Sequence, residues 1–287
     1  YRNKSLNSRV VGFDPEPEEH LRRVEAAIGT IETSKLEKVV LARAVEIEFP
    51  EAIDPRLVAA RLIDLSANRD GFIADLSPAG RPGAMLVGSS PEVLVKRQGS
   101  TVSAFPLAGS SPRRTSAAED HIAGQDLLHS AKDLHEHSFV VEHLRRVLSP
   151  LCERLDIPDT PQLISTNEMW HLGTPIFGTL KDKDLTALEL ALAAHPTPAI
   201  CGTPAEAAQA LIETAETDRG FYAGAVGWCD SSGDGEYMVA IRCAEVAGDG
   251  LSARAWAGGG IVGDSDAQAE LEETTAKLRT ILKALSL

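Results

Sequence analysis

The last stretch of the chain combines acidic, basic and glycine residues at spacings that suit a ligand site. Glu270, Glu273 and Lys277 recur at i, i+3 and i+7, so a helix would place them on one face. The glycines at 258–260 precede that helix and would let a small ligand approach the backbone closely. Two carboxylates one turn apart, with a cation beyond them, can hold a divalent metal beside an anionic ligand. The same spacing also suits a solvated helix face with a Glu273–Lys277 ion pair, and spacing alone does not choose between the two interpretations.

Two further residues have types that suit proton transfer. Lys38 opens an apolar strand pattern at 39–42, so it is either an edge residue whose amine reaches water or a buried amine. Burial would lower the pKa of this amine and make Lys38 a candidate general base. Glu92 ends the segment 88–92 at a predicted tight turn, where a solvated turn carboxylate is the alternative to a functional one.

A helix and a strand each carry one more candidate. His135, Glu136 and His137 are consecutive in a predicted helix, so they point in three directions and cannot all ligate one ion. They also lack the i, i+4 histidine pair of zinc proteases. Glu136 alone remains a candidate metal ligand, with a helix-surface residue as the alternative. Arg242 interrupts the apolar strand pattern at 238–243, where an arginine usually needs an anionic partner such as a substrate carboxylate.

The elements that must position these residues come in groups of strands and groups of helices. Helices are predicted at 14–31, 54–65, 116–147, 185–194, 204–217 and 268–287, and strands at 38–49, 72–105 and 221–262. The strands between 72 and 105 are predicted to form one antiparallel meander, with Glu92 in one of its turns. This grouping predicts an α+β fold with large antiparallel sheets and argues against a doubly wound parallel fold.

Composition and charge exclude several classes of function. The 287 residues carry a net charge of −14, whereas a nucleic-acid or anionic-membrane partner would require a basic surface, so we expect neither partner. No apolar run approaches the roughly 20 residues of a membrane span. The four cysteines, at 152, 201, 229 and 243, have no CxxC spacing, which predicts reduced thiols and a cytoplasmic protein.

Taken together, the motifs resemble the chorismate-utilising enzymes, a family that includes isochorismate, salicylate, anthranilate and aminodeoxychorismate synthases. The resemblance runs in order from about residue 35 to the C-terminus. It rests on the segments 38–43, 88–92, 106–109, 132–137, 170–172, 195–199, 224–230, 241–243 and 258–262. It implies two large antiparallel sheets packed together with helices outside, in a single chorismate-binding catalytic domain, 1–287, made of two similar halves. Family members usually carry a long segment before the lysine strand, so we expect 1–34 to be a partial N-terminal region.

The resemblance also implies roles for individual residues. Lys38 matches the general base that activates water for attack at C2 of chorismate, and Glu92 matches the general acid that protonates the departing C4 hydroxyl. A Mg²⁺ ion would be held by the carboxylates of Glu136, Glu270 and Glu273, in a site between the two halves. The substrate would be bound by residues that line the site or hold its carboxylates, namely Gly109, His171, Ala199, Tyr222, Arg242, Gly258 and Lys277.

Within the family, the residues favour water as the nucleophile. Aminating members lack the lysine that Lys38 matches, so we expect an isochorismate synthase, an isomerase, with no obligate glutaminase subunit. Ala199 resembles synthases that stop at isochorismate, whereas Tyr222 occurs in members that go on to eliminate pyruvate. A salicylate synthase and a non-catalytic chorismate-binding protein are therefore the alternatives. The segment 227–230 resembles synthases of siderophore pathways, menaquinone synthesis being the other expected use, and we expect a monomer.

Overall fold

Residues 3–287 are described by the structure, a computed structural model, and residues 1 and 2 lie outside the described part. The predicted N-terminal region 1–34 is therefore described only from Asn3 onwards. The strands are β1 (Arg9–Asp14), β2 (Lys38–Glu48), β3 (Gly71–Asp75), β4 (Met85–Ser89), β5 (Val93–Gln98), β6 (Thr101–Phe105), β7 (Leu107–Pro112), β8 (Cys152–Asp156), β9 (Gln162–Ser165), β10 (Met169–Gly173), β11 (Ile176–Leu180), β12 (Gly202–Thr203), β13 (Ala225–Cys229), β14 (Gly235–Val239), β15 (Cys243–Val246) and β16 (Ser252–Ile261). The helices are α1 (Pro17–Thr33), α2 (Pro55–Leu65), α3 (Ala117–Leu128), α4 (Ala131–Leu148), α5 (Ala187–Ala194), α6 (Ala205–Ala215) and α7 (Ala267–Ala284). None of the helices in residues 3–287 has the length and apolar character needed to cross a membrane.

Two large antiparallel sheets dominate the fold. The seven-stranded sheet has the order β1-β2-β16-β15-β4-β3, with β12 pairing beside β2, and the six-stranded sheet has the order β13-β14-β5-β6-β11-β8. Leu41 of β2, Val95 of β5 and Ile176 of β11 belong to one continuous apolar cluster, which packs the two sheets together. The predicted α+β fold of two large antiparallel sheets is confirmed.

Helices cover the other face of the seven-stranded sheet. Val58 and Leu62 of α2, with Leu278 and Ile281 of α7, are buried against Val45 on β2 and its neighbours in a second apolar cluster. This packing fixes α7, and the carboxylates it carries, against the sheet that contains Lys38 and the glycines of β16.

The predicted single meander between 72 and 105 is wrong. Strands β3 and β4 pair in the seven-stranded sheet, whereas β5 and β6 pair in the six-stranded sheet, and β4 does not pair with β5. The chain crosses from one sheet to the other between Ser89 and Val93, where Glu92 lies. Local alternation predicts that these segments are strands, but it does not specify partners such as β14, which are distant in sequence.

A third sheet and a helix break were also not predicted. Strands β7, β10 and β9 form a three-stranded sheet. The helix predicted over 116–147 is two helices, α3 and α4, which separate at His129 and Ser130. The Ser130 side chain accepts a hydrogen bond from the amide of Asp133, so Ser130 is the N-cap of α4.

Strand β2 lies inside its sheet. It pairs with β16 along ten positions, from Glu48 opposite Ser252 to Val39 opposite Ile261. Its other edge pairs with β1 at residues 44–48 and with β12 at residues 38 and 39. Lys38 is therefore carried by a strand that is hydrogen-bonded on both sides, with the glycines of β16 directly beside it.

Candidate active site

One recess brings together most of the residues predicted to form the site. The recess is partly open to solvent. Nine of the predicted site residues line it, namely Glu92, Gly109, Glu136, His171, Ala199, Tyr222, Arg242, Gly258 and Lys277. Lys38, Glu270 and Glu273 are not in the wall itself. Lys38 contacts Glu136 of the wall and Glu273 contacts Lys277 of the wall, whereas Glu270 is paired with Lys132.

Lys38 is a fully buried amine at the start of β2. Its Nζ lies 3.3 Å from Oε1 of Glu136, which is ion-pair distance, but the contact lacks hydrogen-bond geometry and Nζ has no hydrogen-bond partner. Burial lowers the pKa of Lys38, and the nearby Glu136 carboxylate only partly opposes this shift. The edge-residue interpretation of Lys38 is therefore wrong, and an amine that can take up a proton lies beside the recess.

Glu92 is also buried, with 3% of its surface exposed, so the solvated-turn interpretation is wrong. Its Oε1 accepts a hydrogen bond from the amide of Leu107 at 3.3 Å. Burial raises the pKa of Glu92 to about 7, against the opposing effects of this hydrogen bond and of Lys38 and Arg242. A carboxyl group that keeps its proton close to neutral pH can act as a general acid.

Three carboxylates from two helices lie together behind the glycine strand. Glu136 comes from α4, and Glu270 and Glu273 come from α7. A Cβ placed on Gly259 would lie 3.0 Å from Oε2 of Glu273 and 3.1 Å from Oε2 of Glu270, so both oxygens face this glycine. Burial, followed by repulsion from Glu273, raises the pKa of Glu270 to about 8. The arrangement places three acidic groups close together where they have little access to water.

This cluster has oxygen atoms available for a hard cation. Oε2 of Glu270 is buried and has no hydrogen-bond partner, and the bare backbone at Gly259 leaves space beside it. Carboxylate oxygens of this kind are the ligands that Mg²⁺ prefers. Across residues 3–287, however, no three acidic, histidine or cysteine side chains already converge as the ligands of one metal ion. The donor set therefore fits Mg²⁺ in chemistry, and its side chains would have to draw closer around an ion.

Lys132 is a member of this cluster that the sequence analysis did not single out. Its Nζ lies 2.8 Å from Oε1 of Glu270 and 3.8 Å from Oε2 of Glu136. The signal was present in the sequence, because Lys132 and Glu136 stand at i and i+4 of one helix and so share a face.

Lys277 joins α7 to the glycine strand. Its Nζ donates to the carbonyl of Gly258 at 2.9 Å and to Oε2 of Glu273 at 2.9 Å. The Glu273–Lys277 pair that the spacing indicated does form, but it is largely buried and borders the recess instead of lying on a solvated face. Its ammonium is available to an anionic ligand in the recess.

Arg242 points a buried guanidinium at the recess. Its Nη2 donates to Nε2 of His171 at 3.1 Å, so that nitrogen carries no proton and Nδ1 of His171 donates to Ser110 Oγ at 2.8 Å. Burial and the charge of Arg242 lower the pKa of His171, which keeps the ring neutral. Among the described residues no carboxylate lies within ion-pair distance of Arg242, so its expected anionic partner is not supplied by the protein.

The backbone of Arg242 is strained. Its φ is 52°, in the left-handed region that residues with a Cβ seldom adopt. Strain of this kind persists where the surrounding structure fixes it, and it often marks a functional position. At this position the guanidinium of Arg242 lies against His171, on the wall of the recess.

Tyr222 forms another wall and depends on Gly258. A Cβ on Gly258 would lie 2.7 Å from the Tyr222 hydroxyl oxygen, so only glycine admits the phenol at this position. The Tyr222 ring stacks on Trp256, with centroids 5.7 Å apart and 6° between the planes. Burial raises the pKa of Tyr222, so its hydroxyl stays protonated at neutral pH.

Arg219 and Glu216, which the sequence analysis also missed, fix the backbone behind these walls. Arg219 donates to the carbonyls of Val40 and Ile200, both at 2.8 Å, and forms a salt bridge with Glu216. Glu216 in turn accepts from the amide of Ala42 at 2.6 Å. These side chains form hydrogen bonds with the backbone of β2 at Val40 and Ala42, where neither β1 nor β12 pairs with the strand. No sequence signal indicated this role, because the bonded groups are far apart in the chain.

Comparison with known proteins decides the family. The family model described as "Chorismate binding enzyme" matches residues 3–286. The chain belongs to the chorismate-binding enzymes. The resemblance seen in the sequence motifs is thereby confirmed.

Chorismate-binding enzymes similar to this chain include two curated proteins and one solved structure. Isochorismate synthase DhbC of Bacillus subtilis is 45% identical over 94% of this chain and 68% of its own length. Isochorismate synthase EntC of Escherichia coli is 39% identical over 100% of this chain and 72% of its own length. The crystal structure of DhbC from Bacillus anthracis is 40% identical, with a TM-score of 0.94 over 99% of this chain and 75% of that one.

The structural match agrees with the antiparallel two-sheet fold described above. For a chorismate-binding enzyme, the recess is the natural place for the substrate, because the buried carboxyl of Glu92 and the unpaired guanidinium of Arg242 line it and the buried amine of Lys38 lies beside it. The roles of individual residues remain predictions that rest on this geometry.

Proposed function

We propose that this chain is an isochorismate synthase, which interconverts chorismate and isochorismate with the help of Mg²⁺. Proteins named as isochorismate synthases are 45% and 39% identical to it over nearly its whole length, in agreement with the activity predicted from the motifs. The Lys38–Glu92 pair carries the proposal within the structure. Both side chains are buried at one recess, and burial shifts each pKa towards the uncharged form.

The reaction needs these two proton states. A neutral Lys38 accepts a proton from water as the water oxygen forms a bond to C2 of the substrate. The ring double bonds shift, the bond from C4 to its oxygen breaks, and Glu92 donates its proton so that the C4 hydroxyl leaves as water. One water enters and one leaves, so isochorismate is an isomer of chorismate, and the reverse reaction exchanges the roles of the two residues.

The cations on the wall would orient the substrate. Arg242 offers a guanidinium without a protein carboxylate partner, and Lys277 offers an ammonium beside Gly258. Substrate carboxylates would satisfy both charges. His171, held neutral by Arg242, would present no competing charge, and Gly109, Ala199 and Tyr222 complete the wall.

We propose that Glu136, Glu270 and Glu273 hold the Mg²⁺ ion. Support comes from the unpartnered, buried Oε2 of Glu270 and from the space at Gly259. When bound, Mg²⁺ would supply a hard, positively charged contact for a substrate carboxylate.

Lys38 also favours a chain that works without a glutaminase subunit, because ammonia needs no base to activate it. We propose a monomer located in the cytoplasm, which fits the four unpaired cysteines, three of them buried, within the described residues. Size-exclusion chromatography with light scattering tests the monomer directly.

The deciding experiment is incubation of the protein with chorismate and Mg²⁺, with products separated over time and a parallel sample in EDTA. Isochorismate should accumulate until it reaches a constant ratio with chorismate, and chelation should stop this. Salicylate with pyruvate would instead identify a salicylate synthase, for which Tyr222 is the residue to examine. Binding of chorismate without turnover would identify a non-catalytic chorismate-binding protein.

A further inference from the structure

The function proposed above leaves Lys132 without a role, although it lies in the middle of the carboxylate cluster. Its Nζ contacts Glu270 of α7 at 2.8 Å, Asp133 at 3.5 Å and Glu136 at 3.8 Å. Lys132 is thus the cation that joins the carboxylates of the two helices. Its side chain is 22% exposed, so part of it reaches the surface of the protein.

Lys132 contacts carboxylate oxygens of Glu270 and Glu136, two of the residues proposed to bind the metal ion. Its hydrogen bond with Glu270 uses Oε1, which leaves only Oε2 of that carboxylate without a partner. A divalent ion close to both Glu270 and Glu136 would lie near the ammonium, where two positive charges repel each other strongly because little water screens them. Metal binding and the present position of Lys132 are therefore in competition.

The local charge balance leads to the same conclusion. Lys132 pairs with Glu270 and Lys277 pairs with Glu273, so two of the three glutamates already have a cationic partner before any ion binds. A metal ion alone would add two positive charges to a buried site that already holds these cations, whereas an ion that arrives with a dicarboxylate substrate would bring no net charge.

We propose that Lys132 is an internal counter-cation that occupies the carboxylate cluster in the absence of metal, weakens the binding of a free divalent ion and so couples metal binding to substrate binding. This inference rests on the metal site assigned to Glu136, Glu270 and Glu273 under the proposed function. Asp133 provides a second partner for the ammonium once it leaves Glu270, because it is already 3.5 Å from Nζ and it lines the neighbouring groove between α3 and α4.

The test measures binding of Mg²⁺ alone by isothermal titration calorimetry to the wild type and to Lys132→Gln, which keeps a polar side chain without the charge. Lys132→Gln should bind Mg²⁺ about tenfold more tightly than the wild type, a coupling of usual size between adjacent sites. Lys132→Arg, which keeps the charge, should bind as weakly as the wild type. Lys283→Gln is the matched control, since it removes one positive charge from α7 at a pair with Glu168 and should leave the affinity unchanged.

Thermal melting provides a second measurement that does not depend on catalysis. In EDTA, Lys132→Gln should melt below the wild type because its carboxylates repel one another, and Mg²⁺ should raise its melting temperature by more than it raises that of the wild type. Chorismate should strengthen Mg²⁺ binding to the wild type and do so less in Lys132→Gln. An unchanged or weaker affinity for Mg²⁺ in Lys132→Gln, or an equal effect of chorismate on both proteins, would overturn the counter-cation role.

The two proposals can fail separately. If the wild type converts chorismate with Mg²⁺ while Lys132→Gln binds the ion no better, the synthase stands and the role of Lys132 does not. If neither protein binds Mg²⁺, with or without chorismate, and no turnover occurs, both proposals fall.

Discussion

Gly260 lies so close to Glu136 that a Cβ on this glycine would be 2.1 Å from Oε1 of the carboxylate. The same Cβ would be 2.8 Å from Cε of Lys38. The missing side chain at Gly260 is therefore what allows the candidate base and a candidate metal ligand to meet at one point on the strand.

Gly260→Ala should reduce kcat/KM for chorismate by about 100-fold or more, because displacing a reacting group by about 1 Å has effects of this size. The measurement is steady-state isochorismate formation, with circular dichroism to show that the fold persists. Gly263→Ala is the matched control, since the nearest atom to its added Cβ, on Ile31, would be 3.8 Å away. Equal activity of the two variants would show that Gly260 does not set the geometry of the site.

Lys38→Ala should lower kcat by about 10²–10⁴-fold, the range expected for loss of a general base. Because Arg242 and Lys277 remain, binding of chorismate with Mg²⁺ should stay measurable by calorimetry. Lys35→Ala, at an exposed lysine just before β2, should keep full activity. Full turnover by Lys38→Ala would disprove the assignment of the base.

The pH dependence of activity should reflect Glu92. Its pKa is raised to about 7 and it must hold a proton to act as the acid, so kcat/KM should fall as the pH rises through about 7. Glu92→Gln should lose most activity and should also lose this alkaline limb in whatever rate remains. A wild-type profile that stays flat from pH 6 to about pH 8 would contradict the role of Glu92.

Glu92 should also make stability depend on pH. Its carboxyl pKa is raised from 4.5 to about 7 on folding, so the folded protein holds a proton that the unfolded chain has lost between these values. This contribution to stability is present below the lower value and declines as the pH rises through the window, by about 3 kcal/mol in total. Glu92→Gln should lack this decline, and denaturant unfolding of both proteins at several pH values measures the difference.

Arg219 should behave as a positioning residue. Arg219→Lys keeps the positive charge, but a lysine ammonium cannot reach the two carbonyls and the Glu216 carboxylate at the same time. We therefore expect kcat to fall about tenfold or more. The substitution should also raise KM, because Val40, Ile200 and Tyr222 line the recess and would shift from their present positions. Arg145→Lys, at an exposed pair on α4, is the control. A lower melting temperature with unchanged kcat and KM would reduce Arg219 to a purely structural role.

Sequence patterns were most informative where one element carries the whole signal. The helical spacing of Glu270, Glu273 and Lys277 places them on one face, and the structure has them on one helix beside the glycine strand. The alternation after Lys38 predicts its strand correctly. Whether these side chains face water or the interior was left open, because burial depends on β16, β12 and α4, which are distant in sequence.

Pairing between strands was the least predictable property. Glu92 was predicted in a turn of a meander, yet its position follows from contacts with Leu107 and with the amide of Val239, which come from different sheets. Lys132 could have been found from its i, i+4 spacing to Glu136. Its contact with Glu270, 138 residues away, could not.

The candidate acid Glu92 and the candidate base Lys38 belong to different layers of the molecule. Lys38 is carried by the seven-stranded sheet, whereas Glu92 lies where the chain leaves that sheet, and its carbonyl accepts from Val239 of the six-stranded sheet. The distance between Glu92 and Lys38 therefore depends on how the two sheets are positioned relative to each other. Buried side chains such as Leu41 and Val95 pack the two sheets together and do not line the recess. Exchanging one of them for a smaller residue should therefore change the rate of the proposed reaction by altering the alignment of the sheets.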